Sequence, residues 1–184
     1  MVVLIWIIIA LIVLIVILFV YYFNRFTVLG NRIDNSLSQI DVQLRKRADL
    51  VPNLINTVKG YAKHEKKIME LVTEARVNLL SAQSIPEKIK AGIELQSALK
   101  SIFAIAENYP QLKANENFLQ LQEELAAIED KIAYARQFYN DSILSYNNSV
   151  AAFPGIFFAS IYGRQKREFL QIPEESRAVP KVEF

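Results

Sequence analysis

The chain has 184 residues, enough for one domain and an anchor and too few for two sizeable cores. Its net charge of +2 points to neither nucleic acid nor an acidic substrate, and the absence of cysteine excludes disulfides, thiolate metal sites and cysteine nucleophiles. Five glycines and six prolines, with little Gly-Pro punctuation before residue 150, favour long helices over sheets.

Val2 to Phe23 contains no charge, no side-chain amide and no glycine, and 18 of its 22 residues are Val, Leu, Ile or Phe. At about 1.5 Å per residue it spans roughly 33 Å, against a hydrocarbon core of about 30 Å. At roughly −0.3 kcal/mol per residue, insertion is favoured by about 5 kcal/mol. Trp6 near one end and Tyr21 and Tyr22 near the other suit the two interfaces. A basic n-region and an A-x-A site are both missing, so the stretch is expected to remain as an anchor. No Lys or Arg precedes it, whereas Arg25 and Arg32 follow closely, then Arg45, Lys46 and Arg47. The positive-inside rule places the N-terminus outside and the remainder in the cytoplasm of a cell membrane.

Behind the anchor, one seven-residue series runs Ile33, Ile40, Arg47, Leu54, Tyr61, Ile68, Ala75. A second runs Leu37, Leu44, Val51, Val58, Glu65, Val72, Leu79. The pattern predicts one long amphipathic helix with a coiled-coil-like seam. Pro52 interrupts it, and the unbroken register favours a kink. A reversal at Pro52 is the alternative, and it would give a four-helix bundle.

Ser81 to Pro86 is the first clear break, with Ser84 and Glu87 reading as a capping box. The next helix carries Ile89, Ile93, Leu99, Ile102, Phe103 and Ala106 on one side and stops before Pro110. Asn115 is a candidate cap for a third long helix. That helix shows Phe118, Leu125, Ile132, Tyr139, Tyr146 and Phe153 at intervals of seven, with Leu121, Ile128 and Ala135 as a second line. The fold class is therefore all-α: an N-terminal transmembrane helix (1–23), an antiparallel bundle of three long helices (24–153), then a short apolar C-terminal helix and an irregular tail (154–184). Ile156 to Tyr162 either caps the bundle or lies in the membrane interface with Gly163 to Arg167 facing lipid phosphates. Packing on the bundle or on a neighbouring subunit is the favoured reading.

Several stretches together resemble the LemA family. They include Asn31-Arg32-Ile33-Asp34, Ile40-Asp41-Val42-Gln43-Leu44, and Arg47-Ala48-Asp49-Leu50-Val51-Pro52-Asn53-Leu54. They continue with Val58-Lys59-Gly60-Tyr61-Ala62-Lys63-His64-Glu65, Tyr109-Pro110-Gln111-Leu112-Lys113-Ala114-Asn115-Glu116-Asn117-Phe118 and Ile132-Ala133-Tyr134-Ala135-Arg136. Tyr139-Asn140-Asp141, Tyr146-Asn147, Phe153-Pro154 and Val179-Pro180-Lys181-Val182 complete the likeness, which covers nearly the whole chain. The resemblance implies a bacterial or archaeal single-pass membrane protein with a cytoplasmic antiparallel helical bundle. It supplies no catalytic residue. Relatives that take part in forming magnetosome membranes suggest a membrane-organising role.

The residues themselves offer little chemistry. The single histidine, His64, cannot build a di-iron bundle site, which needs Glu-x-x-His on two helices. Beside Lys63, Lys66 and Lys67 it reads as a solvated helix-surface residue. Phosphate-loop, dinucleotide-fold and nucleophile-elbow motifs are missing. No catalytic residue, metal ligand or cofactor site is expected. The candidate interaction or register residues are Arg47, Glu65, Tyr134, Arg136, Tyr139 and Tyr146. Arg47 and Glu65 occupy apolar seam positions, where helical drift into solvent is slightly favoured over pairing with Glu123, Glu124 or Arg136. The tyrosines, with Asn115, Asn117, Asn140, Asn147 and Asn148, give the third helix a polar-aromatic face that reads as core tyrosine with exposed amides, or else as an association surface.

The expected function is a non-enzymatic scaffold or adaptor, homo-oligomeric, with the lipid bilayer as partner and no nucleic acid. The alternative is a sensory or regulatory protein whose bundle encloses a ligand or signalling partner in an apolar pocket.

Overall fold

A computed structural model describes residues 1–170. The expected irregular tail around Pro173 and Pro180 lies outside the described residues. Among those residues are six helices: α1 (Val2–Tyr61), α2 (Lys66–Ser81), α3 (Ile85–Ala106), α4 (Pro110–Lys113), α5 (Glu116–Ala151) and α6 (Gly155–Ile161). This is the all-helical bundle behind an apolar N-terminal helix that the sequence predicts. The chain forms two compact units, one of Leu37–Ala135 and one of Met1–Ser36 with the chain from Arg136 onward.

In the unit of Leu37–Ala135 the long first helix divides differently from expectation. It does not run on to Leu79, and it does not reverse at Pro52. It passes through Pro52 and turns back at Ala62 to Glu65. Proline has no N–H, so the carbonyl four residues earlier, that of Ala48, loses its helical partner. Arg76 of α2 supplies the replacement, donating from Nε to the Ala48 oxygen at 2.8 Å. A guanidinium donor suits an orphaned carbonyl because charge-assisted bonds are the stronger class. Pro52 itself is exposed, so its ring meets solvent.

The turn at Ala62–Glu65 carries neither Gly nor Pro. It closes with Ala62 N–H donating to the Val58 oxygen and Glu65 N–H to the Ala62 oxygen. Ala62 is buried and His64 is exposed in the turn, off the helix surface where it was expected. Both expected seams survive the reversal because each half keeps its own inward face. Leu44, Val51, Leu54 and Val58 of α1 are buried, and so are Val72, Ala75 and Leu79 of α2.

The capping box of α3 forms as expected. Ser84 Oγ accepts from Glu87 N–H at 3.4 Å, and Glu87 Oε2 accepts from the N–H groups of Ser84 and Gln83 at 3.2 and 3.1 Å. Those backbone donors, Ser84 first, hold the Glu87 carboxyl below the usual carboxylate range. Where α3 meets α1, Gly92 packs closely on Leu44: an added Cβ would stand 2.6 Å from Leu44 Cδ2, so that methyl would have to move. Asn115 caps α5, its Oδ1 accepting from Phe118 N–H at 3.0 Å. The inner face of α5 in this unit is Phe118, Leu121, Leu125, Ile128 and Ile132, all buried.

Arg76→Leu is expected to cost about 1.5 kcal/mol in urea unfolding of the detergent-solubilised protein, the worth of a hydrogen bond to a charged donor. With Pro52→Ala in place, residue 52 regains its N–H and the Ala48 carbonyl its helical partner, so the same substitution then costs almost nothing. Equal losses in both backgrounds contradict the assignment.

Candidate functional site

Most of the apolar stretch of α1 is left uncovered by the described residues: its most apolar 18-residue window is 0% buried, with a mean hydropathy of 3.7. Its end carries a collar of aromatic rings in the unit of Met1–Ser36 and the chain from Arg136. α5 stops at Ala151, two residues short of the expected end, so Phe153 leaves the heptad line and stands 81% exposed in the turn. The chain then enters α6 through a cis Phe153–Pro154 bond. Gly155 is required there, because a Cβ would lie 2.1 Å from the Ser149 backbone oxygen.

α6 returns to α1. The Phe158 ring stacks on Tyr22 with centroids 5.0 Å apart and planes 7° from parallel. Tyr162 meets Phe19 and Phe23 edge-on at 4.9 and 5.4 Å, and its hydroxyl donates to the Phe19 carbonyl at 2.9 Å. Desolvation pushes the Tyr162 phenol above its ordinary value, so it remains a donor at neutral pH. Arg25 joins the collar to α5, donating from Nε to Ser149 Oγ at 2.9 Å and from Nη1 to Tyr21 Oη at 3.0 Å. The expected packing of Ile156–Tyr162 on the helices is thus true of one face, Phe158, Ala159 and Tyr162. Ile156, Phe157 and Ile161 are exposed.

Beyond α6 the chain runs back along α5, held by amides spaced seven residues apart. Asn147 donates to the Arg167 carbonyl at 2.9 Å and accepts from the Arg167 N–H at 2.8 Å. Asn140 does the same with Leu170, at 3.3 and 3.0 Å. Each amide satisfies both polar groups of one residue, which substitutes for a sheet neighbour. Arg167 also lies 5.3 Å over the Tyr146 ring and donates to Asp34 at 3.0 Å.

The six candidate residues fall in different settings. Arg47 is 3% exposed; it pairs with Glu129 and donates to the Gly92 carbonyl at 3.3 Å. Drift into solvent is therefore wrong for Arg47, and its partner is none of the three expected residues. The seam does not drift because the charge has both a counter-ion and a carbonyl inside it. Burial lowers the Arg47 guanidinium from its ordinary value, and Glu129 works against that shift. Glu65 is half-buried in the turn and accepts from Tyr109 Oη at 3.1 Å, a bond that raises the Tyr109 phenol. Tyr134 is 69% exposed, whereas Tyr139 and Tyr146 are buried, so the three do not form one face. Arg136 is half-buried, with Nη2 unpartnered. Asn140 and Asn147, expected to be exposed amides, are the brackets of the returning segment.

A groove of about 580 Å³ between α1 and α2 is lined by Ile55, Met69, Thr73 and Val77 with Lys59, Lys66, Glu70 and Glu74. It is open to solvent and rimmed by alternating charge.

A family model described as the LemA family matches residues 36–184. Similar curated proteins include Protein LemA of Metamycoplasma hominis, 28% identical over 127 residues, covering 67% of this chain and 57% of that protein. Magnetosome protein MamQ 2 of Paramagnetospirillum magneticum is 21% identical over 175 residues, covering 81% and 64%. Magnetosome protein MamQ of Magnetospirillum gryphiswaldense is 23% identical over 173 residues, covering 80% and 64%. The chain therefore spans less than two thirds of the length of these relatives.

The Arg47–Glu129 pair predicts an asymmetric response. Glu129→Ala strands a buried guanidinium and is expected to lower unfolding free energy by about 3 kcal/mol. Arg47→Met replaces the charge with a side chain that packs, while Glu129, 33% exposed, turns to water. Its expected cost is below about 1.5 kcal/mol. Paired urea titrations read the order; a costlier Arg47→Met refutes it.

Proposed function

We propose a function on the premise that this chain belongs to the LemA family: it is a single-pass membrane protein whose helical part is a non-enzymatic scaffold. The observation that carries the reading is the apolar stretch Val2–Phe23, left open by the described residues except between Phe19 and Phe23, a surface that suits lipid over such a length. The ends of the stretch support the same reading, since Trp6, Tyr21 and Tyr22 are interfacial residue types. Arg25 and Arg32 set the orientation, with the helical units in the cytoplasm and the N-terminus outside.

The scaffold part of the reading rests on how the polar side chains are used. Arg47 is committed to Glu129, Lys88 to Asp41 and Glu65 to Tyr109, each holding helices together. The likeness to proteins named for LemA and the magnetosome supports a role at a membrane. An anchor that confines the chain to two dimensions raises its effective concentration for its own kind, so weak lateral contacts suffice for assembly. Its partners in this reading are the bilayer and further copies of itself.

Size-exclusion chromatography with light scattering, on protein in detergent at micromolar concentration, is expected to give multiples of the 21.1 kDa chain. A single species of one chain defeats self-association and leaves the anchor reading intact.

A further inference from the structure

We infer that α6 and the turn before it form a wedge inserted in the lipid, with Phe153, Ile156, Phe157 and Ile161 facing acyl chains. The inference rests on the proposed membrane span and deepens it by naming a second contact with the bilayer.

The argument begins with depth. Tyr162 is hydrogen-bonded to the carbonyl of Phe19 and Phe158 is stacked on Tyr22. Both anchor points belong to the apolar stretch that ends at Phe23. Phe19 lies four residues, about 6 Å, inside that end. If the stretch crosses the hydrocarbon, whatever is fastened to Phe19 sits at the edge of the same layer. α6 is fastened there by a hydrogen bond and by rings that meet α1 within 6.1 Å.

Composition and exposure point the same way. Phe153 to Tyr162 contains no charged residue, and apart from Ser160 its outward side chains are large and apolar: Phe153 at 81% exposure, Ile156 at 49%, Phe157 at 62% and Ile161 at 63%. A helix apolar on its packed face and on its open face is not designed for water. Charge returns immediately afterwards with Arg164 and Lys166, as it does after the span with Arg25. Apolar groups followed at once by basic ones match the acyl-to-phosphate boundary. A second copy of the chain is the competing occupant, but it does not account for the match in depth with Phe19.

The chain has no cysteine, so single labels are unambiguous. Full-length Phe157→Cys and Ile161→Cys, both at outward positions, are labelled with an environment-sensitive fluorophore in phosphatidylcholine–phosphatidylglycerol vesicles. Val13→Cys reports the span and Lys100→Cys an exposed helix surface. Labels at 157 and 161 are expected to be quenched by lipids brominated near the headgroup end of the acyl chain. Their quenching by aqueous iodide should be at least about threefold weaker than at Lys100. Iodide quenching equal to that at Lys100, with Val13 still quenched by lipid, overturns the wedge and leaves the span standing. Shielding from both quenchers means a protein cover and also overturns it. A Val13 label untouched by brominated lipid defeats the span itself, and the wedge with it.

Discussion

In the proposed reading, the interaction on which the rest depends is the burial of the apolar N-terminal helix in lipid. Apart from its end between Phe19 and Phe23, where α6 and Tyr162 pack, the apolar stretch is met by none of the described residues. In a helix every backbone donor and acceptor inside that stretch is already paired, so hydrocarbon imposes no polar penalty on it. Water, by contrast, would meet 22 residues with no charge among them. Whatever is tied to this helix is thereby placed relative to a bilayer, and the contacts at Phe19 and Tyr22 become statements about depth as well as packing.

The unit of Leu37–Ala135 solves a different problem, that of setting four helices in one register. Apolar seams alone permit a helix to slide by a heptad at modest cost. Polar groups meet at one level: Arg47 and the Ala48 carbonyl on α1, Arg76 on α2, the Gly92 carbonyl on α3 and Glu129 on α5. Arg47 is fully paired only when α1, α3 and α5 stand in the observed alignment, and Arg76 only when α2 does so against α1, so a slip of α1 would strand a buried guanidinium. The side-chain-free surface at Gly92 lets α3 come close enough for its carbonyl to be reached. Proline at 52 thus acts as more than a tolerated irregularity, because it opens the carbonyl that Arg76 needs.

Much of this was legible from residue spacing. The seam positions Ile33, Ile40, Leu44, Val51, Leu54 and Val58 are buried, and the Ser84–Glu87 and Asn115 caps form as written. The expected kink at Pro52 with a continuous helix beyond it overlooks the reversal at Ala62-Lys63-His64-Glu65, because proline is a loud signal and that turn a quiet one. A helix can absorb a proline when a side chain from elsewhere replaces the lost bond, and that side chain, Arg76, is 24 residues further on. Arg47 was read as drifting outward because its counter-ion Glu129 is on α5, and a single sequence does not show which glutamate on that helix points inward. The role of Asn140 and Asn147 was hidden for a related reason. Amides seven residues apart share a helix face, but only the returning segment at Arg167 and Leu170 makes that face a pair of brackets.

Phe153 marks where spacing stops being a guide. It continues the heptad line of α5, and the count alone assigns it to the core. The helix ends two residues earlier, and the close approach of Gly155 to the Ser149 carbonyl turns the chain toward α1. Periodicity records which side chains avoid water, without distinguishing protein from lipid as the shelter. Tyr139 and Tyr146 on the same line find protein, with Arg167 lying over the second ring. Phe153 finds none. A phenylalanine kept on an apolar register, yet left largely open among the described residues, fits the wedge inferred above, because α6 fastens that part of the molecule to the end of the apolar helix.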